Sequence, residues 1–132
     1  MIDHIDHIVL TTQDEEKCID FYTRVLGMKL EHFSSGTPLV HRKAFQFGHQ
    51  KINLHIKGHE FEPKAAHPQP GALDLCFIAS MPLNEVIEKL SAAPWPIIEG
   101  PVQKTGATSK IRSVYLRDPD QNLIEISELL QK

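Results

Sequence analysis

A chain of 132 residues, 41% hydrophobic and 23% charged, has the size and composition of one globular domain. Its formal net charge of -3 gives no basis for binding a phosphate backbone, and no apolar run approaches the ~18 residues of a membrane span. The two cysteines, Cys18 and Cys76, lie in apolar-periodic segments without CxxC spacing, so both are expected to be small buried hydrophobes and not a disulfide. The start Met1-Ile2-Asp3-His4 lacks the basic and apolar stretches of a signal peptide, and a cytoplasmic location is expected.

In chain order, residues 5–11 are β-branched and apolar and predict a strand. From Asp14 to Leu26, apolar residues at 18, 19, 21, 22, 25 and 26 have helical spacing. Thr12 with Glu15 fits a capping box, and Gly27 fits a C-terminal stop. Strands are expected at 28–33, 43–47 and 52–57, with a turn at 34–38. Residues 58–72 hold Pro63, Pro68, Pro70 and Gly71 and read as a connector. A strand at 73–79 follows. A helix at 82–90 comes next, with Leu83, Val86, Ile87 and Leu90 on one face, Ser80 as its cap and Pro82 in its first turn. Strands at 97–102, 111–116 and 123–127 end the chain.

The order strand-helix-strand-strand-strand thus occurs twice. Module one covers about 1–57 and module two about 73–132. Residues 7–10 align with 74–77 at an offset of 67, and 53–56 align with 123–126 at an offset of 70. Such a repeat predicts pseudo-two-fold symmetry.

Each module then carries a metal-capable side chain on its first and last strand. His7 and His55 are the pair in module one, and Asp74 and Glu125 the pair in module two. All four interrupt apolar strand patterns. Burying a charge without a partner is costly, and a shared divalent cation is one solution. The mixture of nitrogen and oxygen donors suits Zn, Ni, Co, Mn or Fe(II).

These features resemble the vicinal oxygen chelate superfamily, the glyoxalase/bleomycin-resistance/extradiol-dioxygenase group. The resemblance rests on residues 5–10, on Phe21-Tyr22 and residues 25–28, on residues 50–55, and most specifically on residues 115–126. Residues 62–68 and 71–76 look like the glyoxalase domain-containing protein 5 group. The resemblance implies an α+β fold of two βαβββ modules forming a curved eight-stranded mixed sheet around one divalent metal. It also implies a homodimer and a small-molecule substrate, and it maps the metal ligands onto His7, His55, Asp74 and Glu125.

Extradiol dioxygenases and fosfomycin-type thiol transferases would carry histidine where this chain has Asp74. Four ligands including two carboxylates look like the glyoxalase I-type lyases, although the roles at 55 and 74 are exchanged. The implied chemistry is lyase or isomerase work on vicinal oxygens, with Glu125 as general base. Lys104, Arg112, Ser113 and Tyr115 are the candidate substrate contacts. A ring-cleaving dioxygenase, a thiol transferase and a metal-free drug-binding protein are the alternatives. Gln121 replaces a usual glycine in the Asp118-Pro119-Asp120 turn, where positive φ would cost roughly 1 kcal/mol.

Overall fold

The computed structural model describes residues 1–130. The chain divides into two compact units, Met1–Ala72 and Leu73–Lys132, so the connector goes with the first unit. Each unit is a four-stranded mixed sheet with a helix, and the expected α+β fold of two βαβββ modules is what the chain adopts.

The first unit runs β1 (His7–Thr12), α1 (Glu15–Asp20), β2 (Lys29–Ser35), β3 (Val40–Phe47) and β4 (Gln50–Ile56), in the spatial order β1-β4-β3-β2. β1 pairs parallel with β4, and the other ladders are antiparallel. Alternation sends Leu10, Thr12, Phe45, Ile52 and Leu54 to one face, where all are buried. That face packs on α1 and on the π-helical turn Phe21–Val25 that continues it. The rings of Tyr22 and Phe45 stack there at 5.0 Å. Each such side chain contributes about 1.5–3 kcal/mol by leaving water.

The cap of α1 differs from expectation. Asp14, not Thr12, is the N-cap, and its carboxylate accepts from the Lys17 amide at 3.1 Å. Thr12 instead accepts from the Asp14 amide through Oγ1, which fixes the entry of the chain. Gly27 ends the helical segment at φ 76, as expected.

The second unit runs β5 (Asp74–Ile78), α2 (Leu83–Ala92), β6 (Glu99–Thr105), β7 (Lys110–Arg117) and β8 (Leu123–Leu129), in the order β5-β8-β7-β6. Val114, Leu116, Ile124 and Ile126 fill the helix-side face with Leu83, Val86 and Leu90. The first amide of α2 is not capped by Ser80. Pro82 holds the cap position, and Glu128 on β8 accepts from the Leu83 amide at 2.9 Å. A bulge interrupts the pairing of β6 with β7 between Glu99 and Val102. Gly100 sits in it at φ 98, and a Cβ there would lie 2.4 Å from the Ser113 carbonyl oxygen, so only glycine fits. Cys18 is buried as expected, whereas Cys76 is exposed, because it alternates onto the face away from the helix.

The register corrects the internal alignment. His7 lies opposite Lys51 and Val9 opposite Asn53, while Asp74 lies opposite Leu123 and Cys76 opposite Glu125. Asn53, not His55, is therefore the counterpart of Glu125, at an offset of 72 and not 70. His55 is the counterpart of Ser127.

Candidate functional site

Alternation leaves the second face of each sheet to polar side chains. In the second unit, Cys76, Glu125, Tyr115 and Glu99 form one row across β5, β8, β7 and β6. Ser127 and Ser113 form the next, with their hydroxyls 2.7 Å apart. Glu125 is half-buried and accepts from the Ser127 hydroxyl at 3.4 Å. Tyr115 is pushed up to about 12, first by burial and then by the charge of Glu125, which lies opposite it on β8. It therefore stays a neutral donor at any physiological pH. Although the residue is exposed, partial desolvation of the Cys76 thiol pushes it up. The Ser127 hydrogen bond at 3.3 Å works against this, and the charges of Glu125 and Asp74 work with it. Cys76 is accordingly a neutral thiol and not a poised nucleophile.

The other expected contacts divide by face. Asp74 is exposed at the head of β5, two residues along from the position opposite Glu125. Lys104 is on the same face, with its ammonium 5.8 Å from the Tyr115 ring centroid. Ser113 and Tyr115 are there too. Arg112 is not, because it alternates to the helix side, where it donates to Asn84 of α2 at 3.3 Å.

In the first unit the corresponding row is Val9, Asn53, Ala44 and Glu31. His7 is exposed at the head of β1, with Nδ1 2.8 Å from the Asp6 carboxylate. His55 shares its face but lies four residues farther along the ladder. At ~3.3 Å per residue that is about 13 Å, so the two imidazoles are not brought together. His55 is buried, and its Nε2 is 3.0 Å from Nη2 of Arg42. A guanidinium only donates, so Nε2 accepts and His55 is neutral with its proton on Nδ1. Burial, and then the Arg42 charge, hold His55 below the usual histidine range.

Among the described residues no three His, Cys, Asp or Glu side chains gather as a metal-holding group. The donors that each register does bring near one another are His7 with Asn53 and Asp74 with Glu125. In both pairs the partner is two residues along the neighbouring strand, a diagonal of roughly 8 Å that two side chains can close. Asn53 is 5% exposed, and its Oδ1 is buried without a hydrogen-bond partner. An orphaned amide oxygen is costly unless a cation or donor reaches it. The imidazole and amide oxygen of the first pair, and the two carboxylates of the second, are each donor types that a divalent metal of the Mn-to-Zn series accepts. His55 fits less well, because Arg42 already occupies its accepting nitrogen.

A family model described as the glyoxalase/bleomycin resistance protein/dioxygenase superfamily matches residues 4–126. The chain belongs to this superfamily. It is 55% identical over 128 residues to virulence protein STM3117 of Salmonella typhimurium, covering 97% of this chain and 85% of that protein. The crystal structure of STM3117 superimposes with a TM-score of 0.91, covering 98% and 99% of the two chains. Glyoxalase domain-containing protein RDO1 of Mycosarcoma maydis is 52% identical over 123 residues, which are 93% of this chain but 66% of RDO1. At lower identity the fold is shared with lactoylglutathione lyase from Agrobacterium tumefaciens. That match has 22% identity, a TM-score of 0.70, and coverage of 97% and 95%. It is shared as well with TnmS3, an antibiotic binding protein from Streptomyces, at 20% identity, a TM-score of 0.71, and coverage of 98% and 98%.

Within this superfamily member, the sequence pointed to Glu125 and its neighbours but passed over Asn53, Arg42, Cys76 and Ser127. Asn53 had a signal, as a polar residue inside the apolar run Ile52 to Ile56. Arg42 had none, because a basic residue near a strand end reads as solvent-facing.

Proposed function

We propose that the chain is a divalent-metal-dependent lyase or isomerase of the glyoxalase type, acting on a small molecule with vicinal oxygens. The observation that carries this reading is Glu125, a half-buried carboxylate that accepts from the Ser127 hydroxyl and lies opposite Tyr115 on the polar face. Such a carboxylate can take a proton from a carbon beside a carbonyl and return it to the neighbouring carbon, with no net oxidation. Tyr115, kept protonated, donates to the oxygen on which negative charge develops. Lys104 gives an anionic tail a counter-charge.

Asp74 and Glu125 are the donors proposed for the metal in the second unit, with His7 and Asn53 the corresponding pair in the first, and a bound metal would polarise the substrate oxygens as a Lewis acid. A homodimer and a cytoplasmic location belong to the same reading. The dimer is supported by Val9, 41% exposed on the edge strand β1, and Ile78, 51% exposed on the edge strand β5. Sedimentation checks the dimer.

Calorimetric titration with Ni, Co, Zn and Mn tests the central claim. At least one cation is expected to bind, and Glu125→Gln to weaken it tenfold or more, about 1.4 kcal/mol. A protein that binds none of the four overturns the reading. A metal-free binding protein is the second reading, favoured by the Arg42 guanidinium lying over the rings of Phe33 and Phe61. It requires small-molecule affinity to survive Glu125→Gln unchanged.

A further inference from the structure

Arg42 is poorly matched to its surroundings. A guanidinium has five N–H groups. One meets Nε2 of His55 at 3.0 Å, and another meets the Ser35 hydroxyl at 3.5 Å, the limit of a hydrogen bond. Nε is buried and meets nothing. Among the described residues no carboxylate pairs with Arg42. A second cation is nearby, since the Lys51 ammonium lies 4.0 Å from the Phe33 ring centroid. The Arg42 carbon Cζ is 4.6 Å from the Phe61 ring centroid and 5.5 Å from that of Phe33. Phe61 also closes edge-on over His55, 5.4 Å between centroids. A half-buried guanidinium with its Nε–H buried and unmatched, and with apolar rings against it, has donors to spare for an acceptor.

We propose that Arg42 is the receptor for the carboxylate of a small organic acid, held in position by His55 and flanked by Phe33 and Phe61. With rings against the guanidinium carbon, the unmatched donors lie in the plane of the fork, and a planar carboxylate matches two of them with parallel bonds. A tetrahedral oxyanion matches them less well. The rings favour an acid with an apolar or aromatic portion beside the carboxylate. His55 is a positioning residue, since its accepting nitrogen fixes one side of the fork and leaves the rest to the ligand. The receptor needs no metal, so it stands or falls apart from the metal-dependent reaction.

The test uses the whole protein treated with EDTA, with benzoate as probe and benzamide as its neutral isostere. Benzoate is expected to bind and to shift the Arg42 Nε–H resonance in a nitrogen–proton spectrum. Benzamide is expected to bind about 10- to 100-fold more weakly, the worth of a charge-assisted pair. Arg42→Met should lose benzoate by a similar factor, with Arg42→Lys in between because lysine offers no fork. Equal binding of benzoate and benzamide by the unmodified protein overturns the proposal without recourse to any variant. An Arg42→Met protein that folds and keeps benzoate overturns it as well. Benzoate binding with no metal binding would sink the metal reading alone, and metal binding without benzoate binding would sink this one alone.

Discussion

The two units use one plan with different chemistry. Across the first sheet the row is Val9, Asn53, Ala44 and Glu31, and across the second it is Cys76, Glu125, Tyr115 and Glu99. One row along, His55 and Arg42 in the first unit stand where Ser127 and Ser113 stand in the second. The second unit thus holds a carboxylate amid neutral hydroxyls, suited to moving a proton. The first holds a half-buried cation beside a neutral imidazole, suited to holding an anion. The cores differ in the same way. Phe21, Tyr22 and Phe45 fill the first, and Leu83, Leu90, Val114, Leu116 and Ile124 fill the second. A repeated backbone fixes which positions meet, and the residue type at each position decides what the meeting does.

The largest expected effect breaks the comparison at the cores. Phe45→Ala should cost about 3–5 kcal/mol in chemical denaturation, and Leu116→Ala about 2–5 kcal/mol, because an aromatic ring leaves the larger cavity. A Phe45→Ala protein within 1 kcal/mol of the parent would contradict the aromatic core of the first unit. Next, Asn53→Asp gives the first unit the carboxylate that the second unit has as Glu125. It should raise affinity for Mn or Zn about tenfold by calorimetry. Unchanged affinity would mean that Asn53 and Glu125 are not functional counterparts, whatever the register.

The third effect is in pH. His55 titrates below its unfolded value near 6.5, so between its folded value and 6.5 the unfolded chain binds the extra proton. Stability should therefore be fully present above pH 6.5 and fall as pH drops below it. His55→Ser, which copies Ser127 of the second unit, should flatten that slope in thermal melts from pH 7 to 5. A slope that persists would assign it to other groups.

The smallest effect is in the turns between the last two strands of each unit. Gly48 holds φ 50 in the first, and Gln121 holds φ 74 in the second. Gln121→Gly should stabilise by about 0.5–1 kcal/mol, since relief of strain exceeds the added freedom of the unfolded chain. Gly48→Gln should cost about as much. Denaturant midpoints compare the two.

Much of this was legible in the residues. The order of elements, both helices, the connector, the Gln121 turn and the superfamily followed from periodicity and motif. The sharing of one face by Ser113 and Tyr115 followed from strand alternation, whereas Lys104 joined it only because β6 runs on to Thr105, past the expected end at 102. Arg112 does not join them, because it neighbours Ser113 on β7 and alternation turns it to the other face, toward Asn84. The helix caps did not follow, because Glu128, which takes the first amide of α2, is 45 residues away in sequence.

What the sequence determined by itself was the face on which each strand residue lies, since side chains alternate with a period of two. What only the tertiary structure decided was the register. Sliding a strand by two residues returns every side chain to the same face, so no pattern of polarity separates His55 from Asn53 as the counterpart of Glu125. The ladder between β1 and β4 separates them, by setting Asn53 opposite Val9 and His55 opposite Thr11. That single choice hands one residue to the metal proposal and the other to Arg42.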